Sequence, residues 1–295
     1  MAHLTAHNID ARYATHYNVG RDVNYNYYNA STPNGPSNQS PSLSFNDAPV
    51  DFLTSHFTGR DDELHRIGEA LSSVHGSAPI RCGVHAMPGM GKTQLALQYV
   101  KLSYGQQRYS IVFWISGATV GKLNQGLAGV LTLVGHPDRD HPEQSTRLTS
   151  ARRWLEESGV TKWLLVLDNV AQEAVSFLQH YLPRKNVMGN ILFTTRTAAI
   201  AESLACVAGQ PYQFFELRAP ELRDASNQLL KEAGINATDA VTDSMNGAED
   251  LVKRIGCLPL AISHAGSFAK QSRKSLNDVL TLYQSEYQYE VGLIS

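Results

Sequence analysis

Five consecutive residues, Gly89-Met90-Gly91-Lys92-Thr93, carry the strongest chemical signal in this chain. Glycines let a backbone turn its N–H groups inward around phosphate oxygens, and a helix starting behind them adds positive potential. With Ala86, Met87 and Pro88 ahead and Gln94 behind, the stretch has the spacing of a phosphate-gripping loop between a strand and a helix. Lys92 would reach the β- and γ-phosphates, and Thr93 would offer its hydroxyl to Mg²⁺. The first position of the usual pattern is glycine. Here it is Ala86, the smallest departure available.

Three further signals follow in order. Leu164-Leu165-Val166-Leu167 runs into Asp168, an acid at the C-terminal end of a buried strand, where ligands of parallel sheets bind. Asp168 can hold the Mg²⁺ shell opposite Thr93. The next residue, Asn169, can hold a water but cannot accept its proton at neutral pH. Either turnover is slow, or another residue supplies the base. Ile191-Leu192-Phe193-Thr194-Thr195-Arg196 puts a cation just past a strand end, within reach of a γ-phosphate. By itself that arginine reads as a surface residue. Gly256-Cys257-Leu258-Pro259-Leu260-Ala261 reads only as a helix start, with proline close to the first turn.

The elements that position these residues alternate. Asp61 to Leu71 places Leu64, Ile67 and Leu71 on one helical face, with acids in its first turn. Strands are expected over Ile80–Ala86, Ser110–Ser116, Trp163–Leu167, Asn190–Thr194 and Gln213–Leu217. Helices are expected over 93–102, 122–134, 149–157, 175–181 and 198–204, with a loop at 136–144. Apolar strands separated by helices imply an α/β fold, with a parallel five-stranded sheet covered on both faces. After Pro220 the pattern is helical only: 221–233, 248–255, 260–270 and 276–287. The expected organisation is an arm over 1–50, a phosphate-binding domain over 51–219 and a small helical domain over 220–295.

The arm is rich in Asn, Tyr, Ser and Pro and poor in aliphatic side chains, so it has little to offset the entropy of ordering. Within it Val23-Asn24-Tyr25-Asn26-Tyr27 alternates like a strand, as a self-assembly segment or as one transient strand on a tethered polar arm. A net charge of −2 predicts no broad attraction to nucleic acid or anionic membrane. Cys82, Cys206 and Cys257 are too few and scattered for a disulfide framework or zinc site, and each reads as a small buried hydrophobe. The N-terminus has no apolar secretory core and no run approaches the ~20 residues of a membrane helix, so a cytosolic location is expected.

Taken together, the four signals resemble the NB-ARC module of the STAND class of P-loop NTPases. Plant resistance receptors, the apoptotic-protease activating factor and many fungal NOD-like receptors carry it. The likeness covers roughly residues 52–290. Phe57-Thr58-Gly59-Arg60 looks like the motif that opens the module, whose backbone and arginine hold adenine. Phe113-Trp114-Ile115 looks like the strand after the first helix, Thr194-Thr195-Arg196 matches the arginine sensor, and Gly256–Leu260 matches the motif whose proline packs on adenine.

The resemblance implies ADP or ATP with Mg²⁺ as the ligand. Phe57, Thr58, Arg60, Pro88, Gly89, Met90, Gly91, Lys92, Thr93, Gln94, Arg196 and Pro259 would hold it. Lys92, Asp168 and Asn169 would stand at the reacting phosphate, and Thr93 and Asp168 at the metal. It further implies an ADP-bound closed form, an ATP-bound form that assembles into homo-oligomers, and signal transduction in innate immunity. Asn169 departs from the family's second acid, and the chain stops at Ser295, ahead of the family's winged-helix and repeat regions. A truncated receptor, a fragmentary gene product or a stand-alone nucleotide module would each fit, with a less stable ADP-locked state. Besides a nucleotide switch, two alternatives are a continuously cycling ATPase and a non-enzymatic self-assembling interaction protein.

Overall fold

A strand that is apolar at every position has no face to give to water and needs cover on both sides. Such strands build the core of this protein. β2 (Ile80–His85), β3 (Ile111–Ser116), β4 (Trp163–Val170) and β5 (Gly189–Thr195) are buried along most of their length. β6 (Gln213–Glu216) lies outside β2. The computed structural model describes residues 43–72, 77–159, 161–206, 213–235 and 242–292. The Val23–Tyr27 segment and nearly all of the expected arm lie outside these residues.

The sheet has six strands, one more than expected. The addition is β1 (Phe45–Asn46), which pairs in parallel with Ile111 and Val112 of β3. Phe45 meets Phe113 edge-on with ring centroids 5.5 Å apart, which seats it on the sheet although it belongs to the polar stretch read as an arm. A two-residue strand carries no alternation for a periodicity argument to detect. The spatial order is β1-β3-β4-β5-β2-β6, and every pairing is parallel.

Alternate residues of the strands feed two cores. Ile111, Phe113, Trp163, Leu165, Leu167, Ile191 and Phe193 face one side, under α3 (Val120–Leu133), α4 (Gln144–Glu157), α5 (Val175–Tyr181) and α6 (Ala198–Ala205). Val84, Val112, Leu164, Val166 and Leu192 face the other, under α1 (Asp61–Ala70) and α2 (Lys92–Gly105). α4 begins five residues ahead of the expected Thr149. Ser150 donates to Asp138 Oδ2 at 2.5 Å, tying the helix to the short turn Pro137–Asp140 in the stretch read as a loop.

Four helices follow among the described residues: α7 (Leu222–Glu232), α8 (Thr242–Arg254), α9 (Pro259–Ser272) and α10 (Leu276–Gly292). They share a core of their own around Leu229, Leu230, Leu251, Val252, Ile262 and Leu276. Only one cysteine matches its expected burial. Cys82 is sealed in β2 and its thiol is pushed up to about 12 by burial, whereas Cys257 is half-buried and Cys206 is exposed. Cys206 directly follows the last residue of α6, where the chain leaves the core. Among the described residues no helix is long and apolar enough to cross a membrane.

Candidate functional site

Because all strands run in parallel, their C-terminal ends share one edge, and that edge is where α/β folds bind ligands. β5 lies between β2 and β4. The loop after β2, Asp168 near the end of β4 and Arg196 just past β5 therefore come together, although more than seventy residues separate the first two.

The loop has the backbone its glycines allow. Gly89 has φ 82° and Gly91 φ 87°, the left-handed region that costs glycine nothing. Gly91 caps α2 without any side-chain bond, so the first-turn N–H groups are left to an outside acceptor. Lys92 Nζ donates to the carbonyls of Ala86 at 2.7 Å and Met87 at 2.9 Å, drawing the loop around its own ammonium. Burial pulls that ammonium below its ordinary range; Asp168 opposes the shift and Arg196 adds to it. The Met90 side chain is buried in the α1–α2 core, so only its backbone can meet a ligand.

A hydroxyl–carboxylate chain crosses from α2 to β5. Thr93 Oγ1 donates to both oxygens of Asp168, at 3.0 and 3.1 Å. Thr194 Oγ1 donates to Asp168 Oδ1 at 2.7 Å and accepts from the Asn169 N–H at 2.8 Å. Asn169 has φ 57°, and the β4–β5 register breaks between Leu167 and Val170. The bulge takes the strand out of its ladder at this point, and Thr194, 1% exposed, stands in for the lost backbone partner. One carboxylate and one hydroxyl, completed by phosphate and water oxygens, form a donor set that Mg²⁺ accepts. Two ligands 3.0 Å apart can share a small cation with bonds of ~2.1 Å. Among the described residues no group of three or more His, Cys, Asp or Glu suggests an all-protein metal cage.

The far wall comes from the loop ahead of α1 and from the helical part. Arg60, at φ 70°, caps α1, and its Nη1 donates to Glu63 Oε1 and to the Arg218 carbonyl, both at 2.7 Å. Its Nη2 is buried without a partner. Gln94 commits its side chain to the loop backbone: Oε1 accepts from the Thr54 N–H at 2.8 Å and Nε2 donates to the Phe52 carbonyl at 3.0 Å. The Leu260 N–H, in the first turn of α9, donates to the Gly89 carbonyl at 3.2 Å and fastens the helical part to the phosphate loop.

One cavity of about 490 Å³ collects all of this. Phe57, Thr58, Arg60, Pro88–Gln94, Asp168, Asn169, Arg196 and Pro259, every residue expected at the site, line it. Sequence reasoning missed Thr54, Pro220, Asp224, Gln228 and Ser263 on the same wall. Asp224 and Gln228, four apart on α7, share a helix face, but nothing in their types singles them out.

A model of the NB-ARC domain matches residues 60–239, more than half of the chain. The chain belongs to the NB-ARC family. As an NB-ARC nucleotide-binding module it is similar to a nucleotide-binding leucine-rich repeat (NLR)-like protein of Hyaloscypha variabilis, at 25% identity over 255 residues. That match takes in 81% of this chain and 25% of the relative, so the NB-ARC chain spans about a quarter of the longer protein. Among solved structures, the ORC2 protein of Aeropyrum pernix in its ADPNP–ADP complexes superposes with a TM-score of 0.54 at 15% identity, over 80% of this chain and 70% of that one. The ORC1 protein of Aeropyrum pernix in complex with DNA gives 0.54 at 14% identity, over 80% and 67%. At such identities the likeness establishes the fold alone.

Proposed function

We propose that this NB-ARC chain is the ADP/ATP-binding switch module of a NOD-like receptor-type signalling protein, with slow or absent hydrolysis. One observation carries this. The cavity has the phosphate loop, Asp168 and Arg196 on the sheet side and Pro259 and Leu260 on the helical side. A nucleotide lying across it touches both parts, so its phosphate count biases how they sit on each other. Residues 51–219 form the nucleotide-binding part and 220–295 the helical part that responds, with homo-oligomers in the ATP form. The relative's NLR-like name supports the receptor type, and the adenine nucleotides in the ORC2 structure support the ligand class.

The residues take distinct roles. First-turn N–H groups of α2 and the Lys92 ammonium hold the β-phosphate and, in ATP, the γ-phosphate. Arg196 lies against the γ-position and distinguishes ATP from ADP. Thr93 and Asp168 hold Mg²⁺, which when bound neutralises phosphate charge. Phe57, Thr58, Arg60 and Pro259 receive the adenine. Asp168 is already hydrogen-bonded by Thr93 and Thr194, and Asn169 cannot take a proton, which favours binding over turnover.

The test is to denature the purified protein and identify what it releases. ADP is the expected result. No released nucleotide, together with no uptake of added ADP by calorimetry, would sink the proposal. Steady-state hydrolysis should run well below about one turnover per second. A faster rate that Asp168→Ala abolishes would favour a cycling ATPase instead.

A further inference from the structure

We infer that Asp224 is a specificity-determining residue, whose carboxylate accepts a hydrogen bond from a donor on the nucleoside half of the ligand. This rests on the nucleotide-binding function proposed above. A carboxylate in a cavity that takes two or three phosphates works against binding wherever it faces them, so it fits only where the ligand presents donors. Asp224 lies in the first turn of α7 on the cavity wall, against the loop ahead of α1. A Cβ placed on Gly59 would come within 3.0 Å of Asp224 Oδ2 and 3.3 Å of its Cγ. Gly59, at φ 66°, leaves the room in which that carboxylate sits.

The acceptor is unspent. Among the described residues no hydrogen bond or ion pair engages the Asp224 side chain, and Arg60, its neighbour on the wall, pairs with Glu63 instead. Arg60 also lines the cavity, while its Nη2 is sealed from solvent without a partner, on a side chain 10% exposed. Burying a donor without a partner is costly, so natural folds leave few of them. The unspent Asp224 acceptor on the cavity wall complements a ligand edge that carries a donor. Adenine has such an edge, with its 6-amino donor beside ring-nitrogen acceptors. The ribose hydroxyls are the other source of donors.

Calorimetry on the whole chain with three diphosphates separates these sources. Inosine diphosphate lacks the 6-amino group, and 2′,3′-dideoxy-ADP lacks both sugar hydroxyls. The wild-type chain should prefer ADP over one of these by ~10- to 100-fold. Asp224→Ala should collapse that ratio to within about 2-fold, while Asp224→Asn, which keeps an acceptor oxygen, should restore part of it. A ratio is read because removing the charge shifts affinity for every polyanion, and a nucleotide-free melting curve confirms that each variant folds. Wild-type ratios near one, or ratios that survive in Asp224→Ala, would overturn the assignment. Failure of ADP itself to bind would overturn the proposed function beneath it.

Discussion

The two ends of the cavity differ in how their polar groups are satisfied. At the sheet end several groups are engaged within the chain: Lys92 with the loop carbonyls, Thr93 and Thr194 with Asp168, and the Asn169 N–H with Thr194, leaving the first-turn N–H groups of α2 for a ligand. On the far wall, formed by the loop ahead of α1 and the helical end, Arg60 Nη2 and the Asp224 carboxylate have no partner among the described residues. Groups tied by several bonds are preorganised, and changing them should cost both binding and fold. Groups left open hold no hydrogen bond within the fold, so changing them should cost stability little and alter which ligand is chosen. On the proposed function the sheet end holds phosphate, and on the inference above the helical end reads what the phosphate is attached to.

The sharpest way to break this contrast is Lys92→Ala. Loss of a desolvated ammonium facing two or three phosphates should weaken ADP and ATP by about 100-fold or more in calorimetry. Retention of near wild-type affinity would mean that the sheet end does not grip the ligand. Thr194→Val comes next. It keeps the shape but strands the Asn169 N–H and frees Asp168, which should cost about 1–3 kcal/mol in denaturant unfolding. It should also flatten the Mg²⁺ dependence of nucleotide affinity, and Thr194→Ser should restore both. An unfolding midpoint unchanged by the valine would show that the network is not preorganised.

The same contrast explains what the sequence revealed. The phosphate loop and Asp168 were legible because their chemistry restricts residue type and their strands are apolar runs that cannot be mistaken for loops, whereas Arg196 read by itself as a surface residue and stood out only through the family resemblance. The five long strands followed from the same runs. β1 did not, since Phe45 and Asn46 are held by one edge-on ring and a neighbour's backbone rather than by any pattern of their own. Thr194 was visible within its motif, but its bonding depends on a β4 bulge that no spacing announces. Asp224, Gln228 and Ser263 were illegible for another reason. Each is an ordinary polar residue of an amphipathic helix, and the wall they form exists only once α7 and α9 have docked. The burial expected of Cys206 failed because its apolar neighbours belong to α6, which ends one residue earlier.

Gly89→Ala tests the join between the two ends, with a smaller effect. At φ 82° any Cβ is strained by about 1–2 kcal/mol, and this one would lie 3.3 Å from Leu260 Cβ. The Leu260 N–H to Gly89 carbonyl bond should loosen, and ADP affinity should fall by about 5- to 30-fold. An unchanged affinity would mean that the loop and α9 are not mechanically connected.

The smallest expected effect belongs to the outer seam. His56 Nδ1 lies 3.1 Å from Glu232 Oε2, while Glu232 Oε1 accepts from Ser263 Oγ at 3.0 Å. One carboxylate on α7 thus links the loop ahead of α1 to α9. His56 is 34% exposed, so solvent and salt screen the pair, and a double-mutant cycle of His56→Ala with Glu232→Gln should return a coupling below about 1 kcal/mol. On the proposed switch function a weak seam would let the helical end close on a ligand and reopen, while the Leu260–Gly89 bond keeps it in touch with the phosphate loop. A coupling above about 2 kcal/mol would instead make the seam a lock. The helical end would then be as rigid as the sheet end, and a nucleotide could do little to move it.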